Sequence, residues 1–141
     1  MDDKLSFEEL CYECAQIMEK FIDSVYEERS NIKGVHYLAQ ATKYIAENYT
    51  KDVTLEKIAN EVNISTSYLS HLLHSGLGTT FTEYISKLRV DKAKDLLVNT
   101  ELSIADIAEK VGIPDANYFA RIFKKYVGIS PNRFRSMNEK R

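Results

Sequence analysis

The sequence predicts an all-α protein, in which two helix-turn-helix subdomains are joined by a long linker helix and preceded by an N-terminal amphipathic helix. Three observations predict it. Apolar residues recur at spacings of three and four almost throughout, the period of a helix with one buried face, and β-rich alternating runs are absent. Only Pro114 and Pro131 interrupt the chain. One pattern is also written twice: IANEVNISTSYLSHLLHSGLGTTFTEYI, from Ile58, returns 49 residues later as IAEKVGIPDANYFARIFKKYVGISPNRF, from Ile107.

The first element runs from Phe7 to about Arg29. Phe7, Leu10, Cys14, Ile17, Phe21 and Val25 form a helical stripe with the spacing of a short coiled-coil seam. The charged and polar stretch from Glu27 to Lys33, followed by Gly34, reads as a hinge. It separates a segment 1–33, expected to dimerise or to relay a signal, from a domain 34–141. A second helix is expected from about His36 to Asn48, with Leu38, Ala41, Tyr44 and Ile45 on its apolar side.

The first helix-turn-helix is placed at about 54–76. Thr54 caps a short helix that buries Leu55, Ile58, Ala59 and Val62. Asn63 takes the left-handed conformation that ends it, and Ile64 packs in the turn. Ser65 or Thr66 caps the next helix, which turns Tyr68, Leu69, Leu72 and Leu73 inward until Gly76 and Gly78 stop it. The linker helix is expected over about 80–98, with Thr80 and Glu83 as a capping box. Its apolar residues, among them Phe81, Tyr84, Ile85, Leu88, Ala93 and Leu97, lie on more than one side, as a helix packed between two neighbours requires.

The second helix-turn-helix, at about 103–128, follows the same grammar. Ser103 and Asp106 form a capping box, Ile104, Ile107, Ala108 and Val111 are the inner face, Gly112 ends the helix and Ile113 fills the turn. Pro114 and Asp115 start the next helix, whose inward residues are Tyr118, Phe119, Ile122 and Phe123, and Gly128 closes it. Ser130 and Pro131 then open a final helix as cap and first helical residue.

A short helix, a tight turn and a second helix form a unit whose second helix can lie in the DNA major groove and read base edges. One such unit is weak evidence, but two joined by a helix are specific. A linker of roughly 19 residues spans about 28 Å, against about 34 Å between successive major grooves on one side of a duplex. Charge distribution agrees. The chain is −2 overall, but residues 1–33 carry −5, residues 34–102 carry −1 and residues 103–141 carry +4. An acidic average thus hides a basic end.

Other classes find little support. No Gly-rich phosphate loop, G-x-S-x-G or H-E-x-x-H occurs, so an enzyme is not expected. Cys11 and Cys14 form a C-x-x-C without a second ligand pair, and are read as small apolar residues on a helix face, not as a metal site. Neither a cofactor nor a metal is expected. No apolar run approaches a membrane span and the start does not resemble a signal peptide, so the expected location is the cytoplasm. A helical protein-interaction module is the alternative; retention on heparin separates the two, since such a module with an acidic pI should not bind.

The stretches TLEKIANEVNISTSYLSHLL, GTTFTEYISKLRVDKAKDLL and SIADIAEKVGIPDANYFARIFKKYVGISPNRFR carry a resemblance. Over residues from about 36 to 138 the chain resembles the DNA-binding domain of AraC/XylS-type transcriptional regulators. The resemblance implies seven helices, two helix-turn-helix subdomains and a bridging helix. It further implies a separate sensory or dimerisation domain. Residues 1–33 are too short to be one, so the chain is expected to be the end of a longer regulator. The base-reading positions it implies are Ser67, Ser70 and His71 in the first recognition helix, and Ala116, Asn117, Ala120 and Arg121 in the second. The family commonly has basic residues where His71 and His74 stand here, and an imidazole cannot fork onto a guanine as arginine does.

From the residues themselves, His74 is expected at DNA beside His71, and Lys124, Lys125, Arg133 and Arg135 are expected to contact phosphates. Helix N-termini near Ser65, Thr66 and Asn117 could add N–H groups. Tyr68, Tyr118, Phe119 and Phe123 are read as core. The expected partners are double-stranded DNA at a promoter or operator, RNA polymerase, and a second copy of the chain bound through residues 7–29; no membrane is expected.

Overall fold

The computed structural model describes residues 7–139 and, among them, seven helices and no strand: α1 (Phe7–Asn48), α2 (Leu55–Val62), α3 (Thr66–Leu77), α4 (Phe81–Asn99), α5 (Ile104–Lys110), α6 (Ala116–Val127) and α7 (Pro131–Asn138). The chain divides into two compact units, Met1–Tyr37 and Leu38–Arg141.

Within the first unit the described residues are helix throughout, and Gly34, read from the sequence as a hinge, lies inside α1, which runs for 42 residues. The reason is energetic. A glycine inside a helix costs only about 1 kcal/mol relative to alanine. Once a helix is nucleated, each further residue adds a hydrogen bond, so a single glycine between two helix-forming stretches does not stop propagation.

The second unit holds the repeat. Each helix-turn-helix is set by caps that satisfy backbone groups at its ends. The Oγ atoms of Thr54, Ser65, Thr80, Ser103 and Ser130 accept the backbone N–H three residues on, at 3.1–3.2 Å. Asp115 caps α6 with Oδ1, accepting from the N–H groups of Asn117 and Tyr118 at 3.0 and 3.2 Å. At Thr80 the reciprocal half of the expected box is replaced, because the Glu83 carboxylate accepts from the Thr79 hydroxyl at 3.1 Å.

The two turns share one chemistry. In the first, Asn63 is left-handed with φ 63°, and Ile64 N–H donates to Ala59 C=O at 3.0 Å; in the second, Gly112 has φ 89° and Ile113 N–H donates to Ala108 C=O at 2.9 Å. The second turn is one residue longer. Ile64 and Ile113 are 49 apart, whereas the capping residues Ser65 and Asp115 are 50 apart, and Pro114 accounts for the difference. At the end of α3 the expectation needs correction. Gly78, with φ 65°, is the terminator, but Gly76 lies inside the helix. A Cβ on Gly76 would come within 2.5 Å of Leu38 Cδ2, so this glycine serves close packing against α1.

Buried residues follow the predicted stripes. Ala41 and Ile45 of α1 are buried, as are Ile58, Ala59 and Val62 of α2, Leu69, Leu72 and Leu73 of α3, and Ile85 of α4. In the second half a single cluster joins Val90, Ala93 and Leu97 of α4 to Ile107, Ala108, Val111, Ile113, Phe119 and Phe123. Phe123 stacks edge-on to Phe134 of α7, with ring centroids 5.5 Å apart. Helix α4 packs on α5, α6 and α7.

Two arginines on these helices make long-range braces. Arg89 of α4 donates from Nε to Tyr49 C=O at 2.9 Å and from Nη2 to Lys51 C=O at 3.1 Å, holding the corner after α1. Arg135 of α7 donates from Nε to Leu97 C=O at 3.1 Å and from Nη2 to Thr100 C=O at 3.2 Å, holding the end of α4. Each guanidinium satisfies backbone carbonyls at or just beyond the C-terminal end of a helix.

Candidate nucleic-acid interface

The outer faces of α3 and α6 follow from their buried faces. At 100° per residue, burying Leu69, Leu72 and Leu73 places Ser67, Ser70, His71 and His74 together on the opposite side of α3, and all four are exposed. Burying Phe119 and Phe123 does the same for Asn117, Arg121 and Lys124 on α6, which are exposed, with Ala120 half-buried at one edge and exposed Lys125 at the other. The two faces correspond position by position at an offset of 50: Ser67 with Asn117, Ser70 with Ala120, His71 with Arg121 and His74 with Lys124. Ala116 sits half-buried in the first turn of α6.

The α6 face is the more strongly cationic. Tyr118, expected in the core, is 47% exposed, and this corrects the sequence reading. Phe119 and Phe123 are enough to fill the inner side of α6, so the tyrosine one residue earlier lies about 100° round the helix, at the edge of the reading face. The Arg121 guanidinium lies over its ring, 5.7 Å from the centroid, an arrangement that restrains the arginine before any ligand arrives. Lys125 lies over Tyr126 in the same way, at 5.6 Å. Burial lowers the Arg89 pKa from its ordinary value, and the nearby Asp52 carboxylate opposes that shift.

The two helix starts differ in their capping groups, Ser65 at α3 and Asp115 at α6. In α3 the capping group is the neutral Ser65 hydroxyl. In α6 the Asp115 carboxylate already occupies the N–H groups of Asn117 and Tyr118, so the phosphate contact expected from the Asn117 backbone is displaced by an anion of the protein's own. Arg133 is exposed on the first turn of α7. Arg135 is not on this face: it is half-buried and committed to the α4 carbonyls, so the phosphate role expected for it gives way to bracing. The sequence reading overlooked the aromatic edge at Tyr118, although its displacement from the Phe119–Phe123 stripe was legible.

Gly112 ties the two halves together. A Cβ there would lie 2.6 Å from the carbonyl oxygen of Tyr49, and 3.2 Å from both Arg89 Nε and the Thr50 carbonyl carbon. The turn of the second helix-turn-helix thus rests against the corner that precedes the first. The Gly112 contact and the Arg89 hydrogen bonds thus both hold the second half against the Tyr49–Lys51 corner. Among the described residues no group of three or more His, Cys, Asp or Glu could hold a metal ion, and no helix is long and apolar enough to cross a membrane.

Comparison with known proteins places this arrangement. Residues 58–137 match the family model described as a helix-turn-helix domain. The chain is 36% identical over 129 residues to the bifunctional transcriptional activator/DNA repair enzyme AdaA of Bacillus subtilis, covering 92% of this chain and 56% of that protein. Among solved structures, the C-terminal domain of AraT, a response regulator from Geobacillus stearothermophilus, superposes with a TM-score of 0.72 at 39% identity, over 74% of this chain and 88% of that one. An AraC-type DNA-binding domain-containing transcriptional regulator from Chromobacterium violaceum superposes with a TM-score of 0.71 at 25% identity, over 77% and 97%. The chain spans about half or less of the length of the curated relatives it matches.

Proposed function

Because the chain belongs to the AraC-type helix-turn-helix family of transcriptional regulators, we propose that it binds double-stranded DNA in a sequence-specific manner as part of such a regulator, with α3 and α6 entering adjacent major grooves. The observation that carries this is the pair of matching outer faces, Ser67, Ser70, His71 and His74 on α3 against Asn117, Ala120, Arg121 and Lys124 on α6, held on one rigid linker. A linker of 19 residues gives a separation of about 28 Å, close to the groove repeat of about 34 Å.

In this reading Arg121 forks onto a guanine edge and Asn117 pairs with an adenine. Lys124, Lys125 and Arg133 take phosphates, and the first helix reads through Ser67, Ser70, His71 and His74 with single hydrogen bonds. Arg135 has no part in it. The role is one of binding, without chemistry on the DNA, and the expected setting is a cytoplasmic promoter where the bound domain meets RNA polymerase. The N-terminal stripe within residues 7–29 supports pairing with a second copy.

Random-oligonucleotide selection with the purified chain tests the reading and yields the site. A single enriched motif spanning two successive major grooves is expected. Its affinity should fall steeply with salt, and Lys124→Ala with Lys125→Ala should reduce the log–log salt slope by about 2, close to one for each phosphate that is no longer neutralised. Selection that enriches no motif, with affinity independent of salt, would remove the proposal.

A further inference from the structure

The continuity of α1 changes what its exposed face can do. With the helix unbroken through Gly34, the stretch can be written as heptads with Cys11 at position a. Position a is then Cys11, Met18, Val25 and Ile32. Position d is Phe7, Cys14, Phe21, Glu28 and Val35. Eight of these nine positions are apolar, over four heptads, and the seam extends past the point where a hinge at Gly34 would have cut it.

These residues are uncovered: Phe21 is 70% exposed and Ile32 68%. Between Glu9 and Lys33 every charged residue except Glu28 and Arg29 falls at the outer b, c and f positions. Phe21, Ile22, Val25, Tyr26 and Arg29 bound an open hollow of about 210 Å³; Phe21, Ile22 and Val25 hold the d, e and a positions that form a hole for a facing side chain, with Tyr26 at b and Arg29 at the next e on its rim. The residues that α1 gives to the second unit's core, Ala41 and Ile45, stand at other heptad positions, so the seam is not shared.

We propose that Phe7–Val35 zips in parallel and in register against the same stretch of a second copy, so that Cys11 and Cys14 each face their own counterparts. The proposal rests on the dimer reading above and adds its polarity, register and length. Flanking positions favour a second copy of this chain. In a parallel pair position g meets position e of the next heptad, which sets Leu10 beside Ala15, Ile17 beside Ile22, Ser24 beside Arg29 and Asn31 beside His36, with no like charges opposed. Glu28 is the one polar seam residue, and it faces the Glu28 of the other copy. Such a pair sets register while weakening the dimer.

The experiment uses the full chain. Sedimentation equilibrium should show a dimer at micromolar concentration, Glu28→Leu should tighten it, and Met18→Asp with Phe21→Asp should weaken it by at least ~100-fold by placing charges in the seam. Polarity is read by oxidation with diamide. Two thiols lose two protons and two electrons, and the diamide N=N bond is reduced to the hydrazine as the S–S bond forms. Facing seam residues fall within the about 4.4–6.8 Å Cα separation that a disulfide tolerates. Cys11→Ser and Cys14→Ser single variants should each still give a covalent dimer, and the double variant none. A chain monomeric at high micromolar concentration would overturn the proposal. So would an antiparallel pair centred between Phe21 and Val25, in which positions a and d face each other and Cys14 lies opposite Ile32: Cys11→Ser would then fail to cross-link until Ile32→Cys is added. Oligonucleotide selection is scored separately, and Met18→Asp with Phe21→Asp should still enrich a motif, so loss of the seam and loss of DNA binding are told apart.

Discussion

Gly112 is the residue on which the geometry of the second unit is most exposed to test. Alanine at Gly112 meets two penalties. The first is conformational: φ is 89°, where an L-residue loses about 1–2 kcal/mol, partly offset by about 0.4–1 kcal/mol from the reduced freedom of the unfolded chain. Gly78 and Gly128, with φ 65° and 92°, carry the same penalty. The second is steric and belongs to Gly112 alone. Its Cβ would lie 2.6 Å from Tyr49 O, whereas nothing lies within 4 Å of a Cβ at Gly78 or Gly128. A carbon needs about 3.5 Å from such an atom, so the turn and the Tyr49 corner must separate by close to an ångström, at an overpacking cost of about 1–3 kcal/mol. That separation also loosens the Arg89 hydrogen bond to the same carbonyl, worth a further ~1–2 kcal/mol. Gly112→Ala should therefore cost about 3–5 kcal/mol, and Gly78→Ala and Gly128→Ala about 1 kcal/mol each. Urea unfolding of the full chain, followed by circular dichroism at 222 nm, measures this. Asparagine, which tolerates the left-handed region, should rescue Gly78 but not Gly112. Equal losses for the three alanine variants would refute the close approach of the two halves.

Other expectations concern the interface and its braces. On a selected duplex Arg121→Ala should cost roughly 1–3 kcal/mol of binding, the scale of one bidentate base pairing, and His71→Ala less; titration by fluorescence anisotropy compares them. Asp115→Ser keeps a capping hydroxyl but removes the anion at the start of α6. Binding should tighten about 2–5-fold at low salt while stability falls by about 0.3–1 kcal/mol. Arg135→Ala should lower stability by about 1–3 kcal/mol and leave the salt slope of binding unchanged, whereas Arg133→Ala should lower the slope by about 1 and leave stability unchanged.

What the sequence determined by itself is what lies within one or two turns of a helix. The buried stripes Ile58–Val62, Leu69–Leu73 and Phe119–Phe123 are spacings of three and four, and the caps Thr54, Ser65, Thr80, Ser103 and Ser130 act three residues away, so both are legible in one dimension. The outer faces of α3 and α6 follow from those stripes by rotation alone, so which residues they expose was legible in the sequence. Tertiary structure decided the remainder. Arg89 reaches Tyr49 across 40 residues and Arg135 reaches Leu97 across 38. Nothing local distinguishes an arginine that will brace a helix end from one that will meet a phosphate. Gly112 and Gly76 look like ordinary stop signals until the backbone or side chain that fills the missing Cβ comes into place. Gly34 looks like a hinge, and is carried through because propagation on both sides outweighs its small local cost. Local periodicity specifies elements and faces; contacts between residues far apart in sequence exist only once the chain has folded, and these assign each arginine and glycine its task.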